Sequence, residues 1–371
     1  MTASWWWCHC EEVLLRGMVS FRYRTSFFKK KIFRRIYLVI RPHALNKTHM
    51  PAHVPKTLLP IFRRFKEMRY GSVFGVMRIH SDNPGPVLGI TACTHGNEPS
   101  GLAIFEYLLE EKNIEKELRC GTVYLVLNNI RAAEKFFTAT NEEDIRKSRY
   151  CDVNMNRLPK ETSCLASDTQ YEIARMKELC PIWKQFNVGL DVHSTLNPSD
   201  PMIISRGGEF NQDLVRGLSI KKLISNIDRV QIGIPAFAFY GGFGSDAKIF
   251  AIEAGQHTDP SSFERATVCA VSLLKNLNML PRTQQSVAME YDEYHVDSSI
   301  VFPDISFDFV KDFKSYEEIH KGDLLARNAG GEEIHAAIDG HLIMPTSRRG
   351  TDKDISEEVA FLSRPVKSRK V

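Results

Sequence analysis

Through the middle of this chain, apolar residues come either in short runs or at intervals of three and four positions. Residues 72–79 and 87–93 read as strands on either side of the turn Asp82-Asn83-Pro84-Gly85. The run 122–128 reads as a buried strand, and 188–193, 202–205 and 249–253 as further short strands. Helical spacing marks 99–111, 168–185, 211–224 and 261–278. Short apolar strands alternating with amphipathic helices predict an α/β layer structure. After Pro281 the texture changes. Short strand-like runs at 301–302, 305–310, 323–327, 333–337 and 341–344 are punctuated by Gly322, Gly330, Gly331 and Gly340. That pattern predicts a small all-β part at the C-terminal end.

Composition adds limits to this outline. A chain of 371 residues, 43% hydrophobic and 25% charged, has the makings of a sizeable core. A disordered, collagen-like or small disulfide-stapled protein is excluded, and no run approaches the ~18 apolar residues of a membrane-spanning helix. The net charge of +4 is unevenly placed: residues 1–49 hold ten Lys/Arg against two acids, and the rest 39 against 43. The body therefore gives no reason to expect nucleic acid as a partner. The tail carries Trp5-Trp6-Trp7 and a basic aromatic run from Phe27 to Arg41. Such a segment suits weak contact with an anionic membrane surface, or a disordered extension ahead of Met50. Eight cysteines without a CxxC pair point to a reducing cytoplasm. Three regions result: a basic extension over 1–49, an α/β domain over 50–281 and a β-rich domain over 282–371.

Four segments carry the chemistry. In Thr91-Ala92-Cys93-Thr94-His95-Gly96-Asn97-Glu98-Pro99 an apolar strand ends in a turn that offers His95 and Glu98 together. Imidazole nitrogen and carboxylate oxygen are both good Zn²⁺ donors, and open α/β sheets place ligands at the carboxyl ends of their strands. Val188-Gly189-Leu190-Asp191-Val192-His193 is a second strand running out at a histidine, with Asp191 on the same side as a supporting carboxylate. Two His and one Glu with an open position form the ligand set of a hydrolytic zinc site. A third strand, 248–253, ends in Glu253, a carboxylate suited to take a proton from water and return it to a leaving nitrogen. Arg131 follows a predicted strand, where a guanidinium can stabilise an oxyanion. The run Cys151-Asp152-Val153-Asn154-Met155-Asn156-Arg157 offers an Asn-Arg fork for a carboxylate, with Asn156 beside Arg157 as the preferred amide and Asn154 as the alternative.

In that order, the segments resemble the succinylglutamate desuccinylase/aspartoacylase branch of the carboxypeptidase-like zinc hydrolases, over about residues 70–280. The resemblance implies a mixed central sheet flanked by helices, with a small C-terminal all-β domain. It implies His95, Glu98 and His193 as ligands of one Zn²⁺ per chain, Glu253 as general base, Arg131 as transition-state arginine, and Asn156 and Arg157 as the grip on substrate carboxylate. The implied reaction is hydrolysis of a linear amide in a small N-acylated amino acid. A metallocarboxypeptidase acting on peptide C-termini is the alternative enzyme, and a non-catalytic metal-binding or membrane-tethered protein the alternative of another class. A homo-oligomeric state is left open. Aspartoacylase-like members carry an arginine about ten residues before the catalytic Glu, where it holds an acidic side chain; here Phe243 takes that place, with Arg206 and Lys248 as the remaining cations nearby.

Overall fold

The computed structural model describes residues 54–158, 169–206, 210–242, 245–282, 290–347 and 357–370; the basic tail of 1–49 and Phe243 lie outside them. Eleven strands among the described residues form one sheet. In chain order they are β1 (Val76–His80), β2 (Val87–Ala92), β3 (Thr122–Leu127), β4 (Val188–Thr195), β5 (Met202–Ser205), β6 (Lys222–Ser225), β7 (Lys248–Gln256), β8 (Glu290–Ile300), β9 (Glu318–Ile319), β10 (Gly340–Ile343) and β11 (Ala360–Lys370). Across the sheet the order is β9-β10-β11-β8-β6-β5-β7-β4-β2-β3-β1. The four strands β3, β2, β4 and β7 run parallel side by side, whereas β1 and β5 are antiparallel to their neighbours β3 and β7. This is the mixed central sheet that the motifs imply.

The parallel strands are buried on both faces, so they read as continuous apolar runs rather than as alternation. All six residues of β3 are buried. Its Val123, Leu125 and Leu127 join a core with α1 (Leu58–Glu67), α2 (Ser100–Glu106) and, later in the chain, α5 (Ser261–Asn276). Its Tyr124 and Val126 join a second core on the opposite face, built on Met176, Leu179 and Trp183 of α4 (Tyr171–Trp183). Between α2 and α4 lies α3 (Ile130–Thr138), which buries Ala132, Ala133, Phe136 and Phe137 on one side. No helix among the described residues is long and apolar enough to cross a membrane.

Two elements differ from the sequence reading. The expected helix over 211–224 is a short turn of helix, Gln212–Val215, followed by strand β6. Gly217 at φ 73° and Ser219 at φ 60° stop the helix, and Leu223 and Ile224 are then buried between β5 and β8. The C-terminal strands also do more than form a separate small unit. β8 pairs parallel with β6, so β8, β11, β10 and β9 extend the central sheet, and a third apolar cluster around Phe302, Phe313 and Leu325 packs beyond them.

Candidate metal centre and active site

Three adjacent parallel strands bring the chemistry to one edge. Thr91 of β2 is in register with Asp191 of β4, and His193 of β4 is in register with Glu253 of β7. The chain leaves β2 through Cys93 at φ 54°, a left-handed turn uncommon for a residue with a Cβ. The turn that follows is fixed by Gly96, whose N–H donates to the Arg149 carbonyl at 2.9 Å. A Cβ at Gly96 would stand 2.2 Å from the Ala132 carbonyl carbon and 2.3 Å from the Ser148 carbonyl oxygen. The loop carrying Arg149 thus lies directly over the turn carrying His95 and Glu98, and only glycine leaves room for it.

Glu98 is the hub. Its Oε1 is 2.9 Å from His95 Nδ1 and accepts from Arg149 Nη1 at 2.9 Å. Its Oε2 is 2.7 Å from His193 Nδ1. The far nitrogens of both rings face oxygens: His95 Nε2 is 2.9 Å from Asn154 Oδ1, and His193 Nε2 is 3.1 Å from Asp191 Oδ2. Both Nε2 atoms thus lie against these supporting side chains while both Nδ1 atoms face Glu98, the arrangement by which supporting groups aim imidazoles at a metal. Asp191 is itself held, its Oδ1 accepting from the Thr91 and Thr94 hydroxyls at 2.6 and 2.8 Å. The buried Tyr240 hydroxyl donates to Thr91 at 3.0 Å and accepts from Asn128 at 2.9 Å.

His95, Glu98 and His193 are all buried, and each offers one ligand atom within 4.8 Å of the others, a group that can hold a metal ion. Two imidazoles and one carboxylate suit zinc. Burial opposes the charge on Glu98, but the imidazoles of His95 and His193 hold its carboxyl well below the usual range. Burial likewise works against His193, which Asp191 and Glu98 raise well above the ordinary imidazole value. Glu253 behaves oppositely: burial, assisted by Glu98, pushes its carboxyl up to about 8. Its Oε2 is buried without a hydrogen-bond partner among the described residues. It lines the cavity next to His95, Glu98 and Arg149.

The remaining expectations meet a mixed outcome. Asn156 is at the site, its Nδ2 3.3 Å from His193 Nε2 and its Oδ1 accepting from the Ala236 N–H at 3.1 Å. Arg157 lines an adjoining cavity together with Asn156, His193 and Glu253; its Nε donates to Glu358 Oε2 at 2.7 Å and its Nη1 to the Asn156 carbonyl at 2.8 Å. Arg131 is not brought to the site. Helix α3 begins one residue before it, capped by Asn129 Oδ1, and this first turn leaves Arg131 exposed with its guanidinium 4.4 Å from the Tyr171 ring centroid. The arginine at the metal group is Arg149, three residues before Asp152 and masked in the sequence by Arg146 and Lys147 close by. The sequence reading also missed Glu357 and Glu358, which lead into β11. Asn154 Nδ2 donates to Glu357 Oε1 at 2.7 Å, so this pair of acids reaches both the support of His95 and the fork of Arg157. No local signal marks them, because the contacts span about two hundred residues.

The comparisons with known proteins agree with this geometry. Residues 84–215 match the succinylglutamate desuccinylase/aspartoacylase catalytic domain; the match takes in both histidines, Glu98 and the 149–157 segment, and stops before Glu253. No curated protein matches the chain in sequence. Among solved structures, succinylglutamate desuccinylase from Vibrio cholerae is similar with a TM-score of 0.60 at 14% identity, over 83% of this chain and 95% of that one. The corresponding protein from Vibrio parahaemolyticus gives 0.59 at 17%, over 79% and 87%. Murine aminoacylase 3 gives 0.54 at 21%, over 78% and 98%. At such identities the likeness is one of fold, and it covers most of each chain. The motif order, the sheet and the matched segment converge: residues 84–215 are similar to the succinylglutamate desuccinylase/aspartoacylase catalytic domain.

Proposed function

We propose that this chain is a zinc-dependent hydrolase of the linear amide bond in small N-acylated amino acids, acting in the cytoplasm. The single observation that carries the reading is the buried trio His95, Glu98 and His193 beside adjoining cavities that Glu253, with its unpartnered carboxylate oxygen, also lines. Residues 50–281 form the catalytic domain in this reading, and the strands of 282–371 complete its cavity.

His95, Glu98 and His193 would hold one zinc ion, which supplies Lewis acidity and lowers the pKa of a water near ~7 when bound. Glu253 takes the proton of the attacking water as the amide carbonyl becomes tetrahedral, then delivers it to the departing amine nitrogen. A carboxyl whose burial favours the protonated form suits this double role. Arg149, rather than Arg131, is the guanidinium within reach of the developing oxyanion, because it lines the cavity with Glu98 and Glu253. Asn156 and Arg157 orient the substrate's carboxylate, which fixes the amide relative to Glu253. Asp191 and Asn154 hold the two imidazoles in register.

The test is metal content measured together with amine release. Chain purified whole should contain about one zinc, and should release amine from N-acyl amino acids but not from short peptides, with loss of activity on adding a chelator. Failure to take up zinc would remove the reading altogether. Release from peptides in preference to acyl amino acids would favour the carboxypeptidase alternative.

A further inference from the structure

We infer that the amine half of the substrate carries an uncharged, apolar side chain, and that Glu358 is the residue that turns away a second carboxylate. This rests on the N-acyl amino acid reading above and names the substrate class within it. On the side of Asn156 and Arg157 the site opens into a lobe of about 100 Å³. Its walls include the buried side chains of Ile204, Ile227, Phe237, Ala251 and Phe361. A side chain entering here exchanges water for hydrocarbon, which favours apolar groups and penalises any charge left unpaired.

Charge pairing points the same way. Arg149 and Arg157 are the arginines of this lobe, and no lysine lines it among the described residues. Arg149 is 2.9 Å from Glu98. Arg157 is 2.7 Å from Glu358, whose side chain has no exposure at all. One guanidinium shared with a fixed buried carboxylate can still orient the substrate's own carboxylate. A second carboxylate in this lobe, as in an N-acylaspartate or N-acylglutamate, would meet apolar walls and the carboxylate of Glu358 with no further cation of the lobe to answer it. The two cations that the sequence left open do not serve. Arg206 donates to the carbonyl of Ala247 at 2.9 Å and to that of Tyr240, and it lines a different cavity together with Lys248.

The experiment compares kcat/KM of the zinc-loaded full chain for N-acetyl-leucine and N-acetyl-methionine with that for N-acetyl-aspartate and N-acetyl-glutamate. The expected preference for the apolar pair is about tenfold or more, and in E358Q that ratio falls because the acidic substrates gain. Equal or greater rates on the acidic pair in the wild type overturn the inference whether or not E358Q folds, and so does an unchanged ratio in a folded E358Q. Calorimetric binding of N-acetyl-leucine and N-acetyl-aspartate separates this from the reading it rests on. Absence of turnover on all four with tighter binding of N-acetyl-leucine removes the hydrolase and keeps the subsite. Tighter binding of N-acetyl-aspartate, or binding of neither, overturns the subsite.

Discussion

In the mechanism proposed above, Glu253 and Arg149 are the side chains on which the chemistry turns. E253Q keeps the shape of the carboxylate and its neighbours but cannot accept a proton. It should retain wild-type zinc content by elemental analysis while turnover falls about 10²–10⁴-fold; activity within tenfold of wild type would remove Glu253 from the base role. Burial also raises this carboxyl to about 8, above the ~4.3 of an unfolded glutamate. A group with a raised folded value binds more protons when folded. Its contribution to stability is therefore present in full below the unfolded value and is lost as pH rises through about 8. Melting of metal-free protein between pH 5 and 8 should show this decline, and E253Q should lessen it. For the arginines the prediction is a contrast. R149K should lower kcat about 10²–10³-fold, whereas R131A, which loses a stacking contact on Tyr171, should leave kcat within a few-fold. The reverse ranking would return the oxyanion role to Arg131.

Among the elements, legibility followed the distance over which each contact is made. His95 with Glu98 and the strand endings at His193 and Glu253 were readable because an apolar run that stops at a ligand-type residue is a local pattern, and the parallel register of β2, β4 and β7 aligns those endings. That Arg131 would stand away from the metal group was not legible, because position after a strand says nothing about where a helix starts: Asn129 caps α3 and Arg131 is exposed on its first turn. Strand β6 was taken for helix since its apolar residues continue a spacing of three and four, and the break at Gly217 was passed over. The lead-in to β11 was unreadable, because what matters about Glu357 and Glu358 is what they meet. Removing that contact at Glu357 should loosen the support of His95. E357A is expected to weaken zinc binding by about 10–100-fold in chelator competition, and an unchanged affinity would make the bond to Asn154 incidental. At the turn between β2 and α2, G96A should cost more than a typical core substitution, roughly 3 kcal/mol or more in denaturant unfolding, because its Cβ meets backbone on both sides.

For the whole molecule, the fold binds the site's two contributors through the sheet instead of across a hinge. β8 pairs parallel with β6 and antiparallel with β11, so the strands after residue 289 belong to the same hydrogen-bonded sheet as those that lead to the candidate metal ligands. Removal of β11 would strip β8 and β10 of a partner at once and bare Phe302, Leu325 and Leu342, which pack with its buried Ala360 and Leu362. Chain ending at residue 356 should therefore lose secondary structure and expose dye-binding apolar surface, and a native-like melt from that truncation would show the sheet to be divisible after all.

The bond between Asn154 and Glu357 spans 203 positions of sequence, and that distance is also a delay. At synthesis rates of about 5–20 residues per second, roughly ten to thirty seconds separate the emergence of His193 from that of Glu357. During that interval His95, Glu98 and His193 already exist in the nascent chain, while the acids that steady Asn154 and shield Arg157 do not. The order of manufacture thus puts the candidate metal-binding residues into the chain first and the acids that meet Asn154 and Arg157 last.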